Sequence, residues 1–175
     1  MIYVVRHGKT DGGQKGNVPL NEIGIEQSRM VAPRVTELGI DKIYSSDVVR
    51  ARQTTEIVNA VVGVDVIYDP RLREFSIIAE HPIKNLDNLT QAEQEKYNEL
   101  IKQSFKDAFD RVQSFLSELR ANKVDNVAVI THRGIISTIG YCLEHDTFDF
   151  CKFDENRKKY KRGTENCSIT KFELY

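Results

Sequence analysis

The chain has 175 residues, 40% of them hydrophobic, with 25 basic and 26 acidic side chains and a formal net charge of −1. That length predicts one domain spanning 1–175, with enough chain to bury a core unaided, and the near-neutral balance argues against nucleic acid or an anionic membrane surface as a partner. The three cysteines (Cys142, Cys151, Cys167) lack metal-ligand spacing and the N-terminal apolar run is too short for a leader or a span, so a cytoplasmic protein with reduced thiols is expected.

Ile2 to Val5 is a β-branched and aromatic run that predicts a buried strand, and it delivers Arg6 and His7 to a sharp exit at Gly8. A loop follows from Asp11 to Leu20, with three glycines and Pro19. Asn21 caps a predicted helix to about Leu38, interrupted or kinked near Pro33 and closed by Gly39. Lys42 to Tyr44 reads as a second strand. Ser45-Ser46-Asp47 then caps a helix whose apolar positions include Val48, Ala51, Ile57, Val58 and Val61. A third strand, Val64 to Tyr68, is stopped by Asp69-Pro70. The stretch from Phe75 to Leu89 has no period and reads as a long loop, of the kind that carries function in compact domains.

Thr90 with Glu93 forms a capping box that opens the longest helix, to about Ala121. Its Phe105, Ala108, Phe109, Val112, Phe115, Leu116 and Leu119 share one face. Val127 to Ile130 is a further buried strand, running through Thr131-His132-Arg133-Gly134 into an apolar helix, Ile135 to Leu143. The tail carries a basic segment, Arg157 to Arg162, expected as a solvated hairpin tip, and a last alternating strand, Ser168 to Leu174. Strands alternating with helices predict an α/β fold with a mostly parallel sheet.

Three strand-to-helix junctions carry chemistry. The first holds Arg6 and His7. The second puts Arg50 in the first turn of a helix, where backbone N–H groups already favour an anion. The third holds His132. Carboxyl ends of neighbouring parallel strands lie side by side, so these groups can converge, and Glu74 can reach the same crevice from its rim. Such a set fits phosphoryl transfer through a covalent phosphohistidine. A neutral imidazole attacks phosphorus, arginines and a protonated second histidine stabilise the equatorial oxygens, and a carboxylic acid protonates the leaving oxygen. No cofactor is expected, and no His-x-His or His-x-x-x-His spacing suggests a metal site. Plainer readings stand beside these. Arg50 could be a solvated helix charge, and Glu74 could pair with Arg71 or Arg73 at the surface. Gly8-Lys9-Thr10 is not a nucleotide P-loop, because that motif needs a glycine where Tyr3 stands.

The ordered motifs resemble the histidine phosphatase superfamily. Arg6-His7-Gly8-Lys9-Thr10 is similar to its opening, Pro19-Leu20-Asn21-Glu22-x-Gly24-x-x-Gln27 to its next segment, and Ser45-Ser46-Asp47-x-x-Arg50-Ala51-x-Gln53-Thr54 to its arginine helix. Leu72-Arg73-Glu74 resembles the acid segment, Val129-Ile130-Thr131-His132 the second histidine, and Asn166-Cys167-Ser168-Ile169 the ending. The resemblance implies a three-layer α/β/α sandwich of the phosphoglycerate-mutase-like kind. It implies His7 as nucleophile, Arg6, His7, Arg50 and His132 as the phosphate-binding set, and Glu74 as proton donor.

Departures from the pattern bear on the substrate. Gly12 and Gly13 stand where an asparagine is common, leaving Asn17 as a substitute. Arg133 follows the second histidine in place of a small residue, and no Gly-Trp-Glu-Gly segment follows the acid. Thr10, Asn17, Arg133 and His81 are the candidate substrate contacts. A chain without long covering insertions favours hydrolysis of a small phosphorylated metabolite. The alternatives are a mutase-type phosphoryl transferase, a phosphoprotein phosphatase and a non-catalytic phosphate-binding module.

Overall fold

The computed structural model describes residues 1–11, 16–75, 89–161 and 164–174. Within them the strands are β1 (Ile2–Arg6), β2 (Lys42–Ser45), β3 (Asp65–Tyr68), β4 (Val127–Thr131) and β5 (Ile169–Phe172). The helices are α1 (Glu22–Thr36), α2 (Val49–Val62), α3 (Gln91–Ala121), α4 (Arg133–Glu144) and α5 (Phe150–Lys161). One sheet runs in the order β3-β2-β4-β1-β5, parallel except for β5. The mostly parallel α/β/α sandwich predicted from the motifs is the fold observed.

Each buried strand feeds two cores because its side chains alternate. Ile2, Val4, Val127 and Val129 point into a core shared with α3, α4 and Phe153 of α5, whereas Val5, Ala128 and Ile130 meet Val31, Ala32 and Val35 of α1 and Ala51 and Val58 of α2. The central strands are apolar on both faces for that reason, as parallel strands between helical layers must be. The apolar stripe of α3 packs as predicted, and its capping box forms between Thr90 and Glu93.

Three local expectations are corrected. The first helix runs unbroken through Pro33, which lies on its exposed side, so the hydrogen bond a proline cannot make is lost toward water. The second helix starts at Val49 with Val48 as N-cap, because Ser45 ends β2 and Ser46 is buried at the sheet edge. The basic segment is helical through Lys161, and Arg157 lies over the Phe105 ring at 4.2 Å from its centroid instead of in solvent; Arg162 lies outside the described residues.

The chain leaving β1 is pressed against α1. Lys9 accepts the Asn21 N–H at 3.0 Å, and Gln27 Oε1 accepts the Lys9 N–H at 3.0 Å. A Cβ on Gly24 would stand 2.1 Å from the Lys9 carbonyl oxygen, and one on Gly8 would stand 2.4 Å from the Gly24 carbonyl oxygen. Backbone meets backbone at both points, so neither side can yield cheaply. Gly24→Ala is therefore expected to cost more than about 2 kcal/mol in urea unfolding, at the upper end of single substitutions. A cost near that of an exposed Gly→Ala change would contradict the close approach.

Candidate active site

β1 and β4 are neighbours, yet β1 leads to α1 on one face and β4 leads to α4 on the other. That divergence opens a crevice at the carboxyl edge, where open α/β sheets bind ligands. Register brings the residues together. Arg6 is opposite Thr131, the His7 N–H donates to the Thr131 carbonyl at 2.9 Å, and the Ser46 N–H donates to that of Ile130 at 2.9 Å. The His7 and His132 rings lie 5.0 Å apart between centroids.

Hydrogen bonds fix both imidazoles. His7 Nδ1 lies 2.8 Å from the Gly8 carbonyl, which can only accept, so Nδ1 carries the proton and Nε2 keeps its lone pair. Arg50 Nε donates to that Nε2 at 3.3 Å. Arg50 Nη2 lies 3.4 Å from His132 Nδ1, which must accept, leaving the Nε2–H to donate to Ser46 Oγ at 3.0 Å. The His7 backbone is clamped as well: Asn166 Nδ2 donates to its carbonyl at 2.7 Å, and Thr54 Oγ1 accepts the next N–H, from Gly8, at 3.0 Å. Ser46, read as a helix cap from the sequence, instead orients His132.

The electrostatics bear on both histidines. Burial, with the Arg50 and Arg6 charges, pulls His7 down to about 3. Burial and the neighbouring His7 and arginines push His132 well below its ordinary value. Burial and these neighbouring charges favour the neutral form of His132, and the protonated form expected during phosphoryl transfer would need an anion beside the ring. The positive charge comes from arginines. Arg50 is 3% exposed, with Nη1 donating to the Gly16 carbonyl at 3.0 Å. Arg6 donates from Nη1 to the Thr164 carbonyl at 2.9 Å and keeps a buried Nε with no partner among the described residues; burial, then Arg133, lowers it to about 10. Arg133 at the start of α4 likewise has a buried, unpartnered Nε.

Glu74 joins the set from the turn after β3. Its Oε2 accepts the Gly134 N–H at 3.2 Å and its Oε1 accepts the Phe75 N–H at 3.2 Å. It thereby supplies the capping bond at the α4 N-terminus that the His132 side chain does not. A Cβ on Gly134 would stand 2.2 Å from Glu74 Oε1, so only glycine admits the carboxyl group there. Burial raises the Glu74 pKa, outweighing the Gly134 and Phe75 N–H groups. The surface ion pair is not made: Arg71 pairs with Asp69 and Glu118, and Arg73 pairs with Asp47.

The candidate substrate contacts separate. Thr10 is buried just beyond His7. Asn17 Oδ1 accepts the Val49 N–H at 2.8 Å, so its oxygen caps α2 beside Arg50. Arg133 is close enough to depress both Arg6 and His7. His81 lies outside the described residues, as does the loop from 76 to 88, although Phe75 at its start is 1% exposed in the core. Among the described residues no group of three or more His, Cys, Asp or Glu side chains is placed to hold a metal ion, and no helix is long and apolar enough to cross a membrane.

The fold and crevice define an α/β protein with an imidazole nitrogen set among arginines. The comparisons carry this further: residues 2–175 match the model of the histidine phosphatase superfamily (branch 1), and the chain belongs to that superfamily. A probable phosphoglycerate mutase (GpmB) of Escherichia coli is 31% identical over 189 residues, covering 98% of this chain and 84% of the relative. Among solved structures, a phosphoglycerate mutase from Bacillus anthracis matches with a TM-score of 0.69 at 22% identity, over 97% of this chain and 85% of that one. A mycobacterial glucosyl-3-phosphoglycerate phosphatase complexed with VO3 matches with a TM-score of 0.68 at 21% identity, over 97% and 88%.

The buried imidazoles carry a pH signature. Unfolded, His7 titrates near 6.5; folded, it stays neutral down to about 3. Between those values the unfolded chain binds the extra proton, so His7 contributes stability above pH 6.5 that is lost as pH falls toward 3. Urea unfolding in phosphate-free buffer should show stability dropping across this window, with a shallower slope in His7→Gln. Parallel slopes for the two proteins would contradict a buried neutral His7.

Proposed function

We propose that the protein is a phosphomonoester hydrolase working through a phosphohistidine on His7. The single observation that carries this reading is the His7 ring: Nδ1–H is spent on Gly8, and the Nε2 lone pair is aimed among guanidinium groups. Entry of a phosphate draws the Arg50 N–H from Nε2 to a phosphate oxygen and frees the nucleophile. Nε2 then attacks phosphorus, a P–N bond forms, and the P–O bond to the leaving group breaks. Arg6, Arg50 and His132, the last taking up a proton at Nδ1 as the phosphate enters, hold the three equatorial oxygens. Glu74, its pKa raised by burial, gives its proton to the departing oxygen. The resulting carboxylate takes a proton from water, the hydroxide breaks the P–N bond, and inorganic phosphate leaves.

The second reading, return of the phosphoryl group to a new acceptor, is favoured by the name of the Escherichia coli relative. The substrate proposed is a small phosphorylated metabolite. Arg133 adds a charge that the phosphate-binding set does not use, so a second anionic group on the substrate fits beside it.

His7→Ala should keep the fold and lose at least about a thousandfold in kcat, and the wild type should yield an acid-labile, base-stable phosphoenzyme. Retained turnover would exclude His7 as nucleophile. Transfer of label to a metabolite acceptor faster than to water would favour the mutase reading. Arg133→Ala should lower kcat/KM for substrates carrying a second anion about tenfold or more and leave singly anionic esters nearly unchanged. A uniform effect across the panel would remove Arg133 from substrate selection.

A further inference from the structure

Four consecutive carbonyls, from Pro70 to Arg73, lead into Glu74, and side chains from other elements bind all of them. Arg111 Nη1, projecting from α3, donates to the Arg71 carbonyl at 2.6 Å and the Arg73 carbonyl at 3.1 Å, with the Pro70 carbonyl at 3.5 Å. Thr131 Oγ1, at the end of β4, donates to the Leu72 carbonyl at 2.8 Å. The Arg73 carbonyl belongs to the same peptide unit as the Glu74 N–H. Fixing it fixes the plane from which the Glu74 side chain departs. At the far end of that side chain, the Gly134 and Phe75 N–H groups fix the carboxyl oxygens.

We propose that Arg111 is a positioning residue for the general acid: it does not touch the substrate, but holds the Pro70–Glu74 backbone so that Glu74 faces the leaving oxygen. Three features set Arg111 apart from an ordinary surface cation. It forms no ion pair among the described residues. Burial lowers its pKa, with Asp107 and then Glu74 acting to raise it. One of its nitrogens reaches three backbone carbonyls, those of Arg71 and Arg73 most closely, so a single buried cation serves a run of acceptors. Arg71 also ties the turn to α3, through Glu118 at 2.8 Å and Ser114 at 3.3 Å, but those bonds hold its own side chain and not the peptide of the acid. Arg111 and Glu74 line the same cleft.

This inference rests on Glu74 being the proton donor, so the experiment includes Glu74→Gln as its reference. The full chain and its variants are assayed with p-nitrophenyl phosphate, whose leaving group departs unprotonated, and with an alkyl phosphate, whose leaving group needs a proton. Arg111→Met should lower kcat for the alkyl phosphate by about ten- to a hundredfold, within the range a general acid supplies, and change p-nitrophenyl phosphate less than about threefold. Inhibition by inorganic phosphate should stay within about twofold, since the hydrogen bonds of Arg111 go to the Pro70–Arg73 backbone and not to the phosphate-binding side chains. Arg111→Lys, which keeps the charge with different reach, should recover part of the loss and serves in place of Arg111→Met if the latter unfolds. Adding Arg111→Met to Glu74→Gln should cost nothing further on the alkyl substrate.

Equal losses on both substrates, unchanged alkyl-phosphate kinetics in a folded variant, or additive losses in the double variant would each overturn the role of Arg111. If Glu74→Gln itself shows no leaving-group dependence, the acid assignment fails and this inference falls with it. If Glu74→Gln shows the dependence and the Arg111 variants do not, only the inference fails.

Discussion

The in-register parallel pairing of β1 with β4 is the constraint from which the rest follows. Arg6 sits opposite Thr131, so the residues one step beyond, His7 and His132, emerge side by side at the carboxyl edge. The helices that follow these strands depart to opposite faces of the sheet. A slip of one residue would turn both histidines into the helical layers. The close backbone contact of Lys9 with Gly24, and the bonds from Asn166 and Thr54, serve that placement by leaving the segment after β1 one path out.

The crevice so formed is electrostatically expensive. Arg6 and Arg50 are nearly buried, and Arg6 and Arg133 each keep an Nε without a partner among the described residues. The Glu74 carboxyl group acts on both Arg6 and Arg50, and a few carbonyls and the two imidazoles accept from the guanidinium groups. Buried cations cost the fold desolvation energy, and a cluster of them is organised in advance for an anion. The same field favours the neutral form of His132, and an imidazolium there would need an anion beside it.

Glu74 is held by a different logic. Its carboxyl group rests on the α4 N-terminus through Gly134, in space that exists only because that residue has no side chain. Phe75, the next residue, is locked among Phe105 and Phe153, with the Arg157 guanidinium over the aromatic cluster. The acid is thus anchored on both sides by core packing and backbone bonds, which leaves its side chain little freedom beyond the crevice.

The amino-acid sequence by itself determined much of this. Runs of β-branched residues marked β1 and β4, the period of Phe105 to Leu119 marked α3, and the Arg-His-Gly opening with its ordered partners pointed to one phosphate crevice. These signals are local or rest on chemistry so restrictive that few residue types can serve. The tertiary structure decided what depends on distant neighbours. Asn17, expected as a substrate contact, also sets its side-chain oxygen on the Val49 N–H, 32 positions away. Ser46 turned from a cap into the partner of His132, 86 positions away. Arg157 left the solvent for an aromatic face, and Arg111, carrying no local signal at all, proved to hold three carbonyls about 40 positions upstream. The protonation of His132 was beyond the sequence for the same reason. Burial and the summed field of other charges set it, and both exist only once the chain is folded.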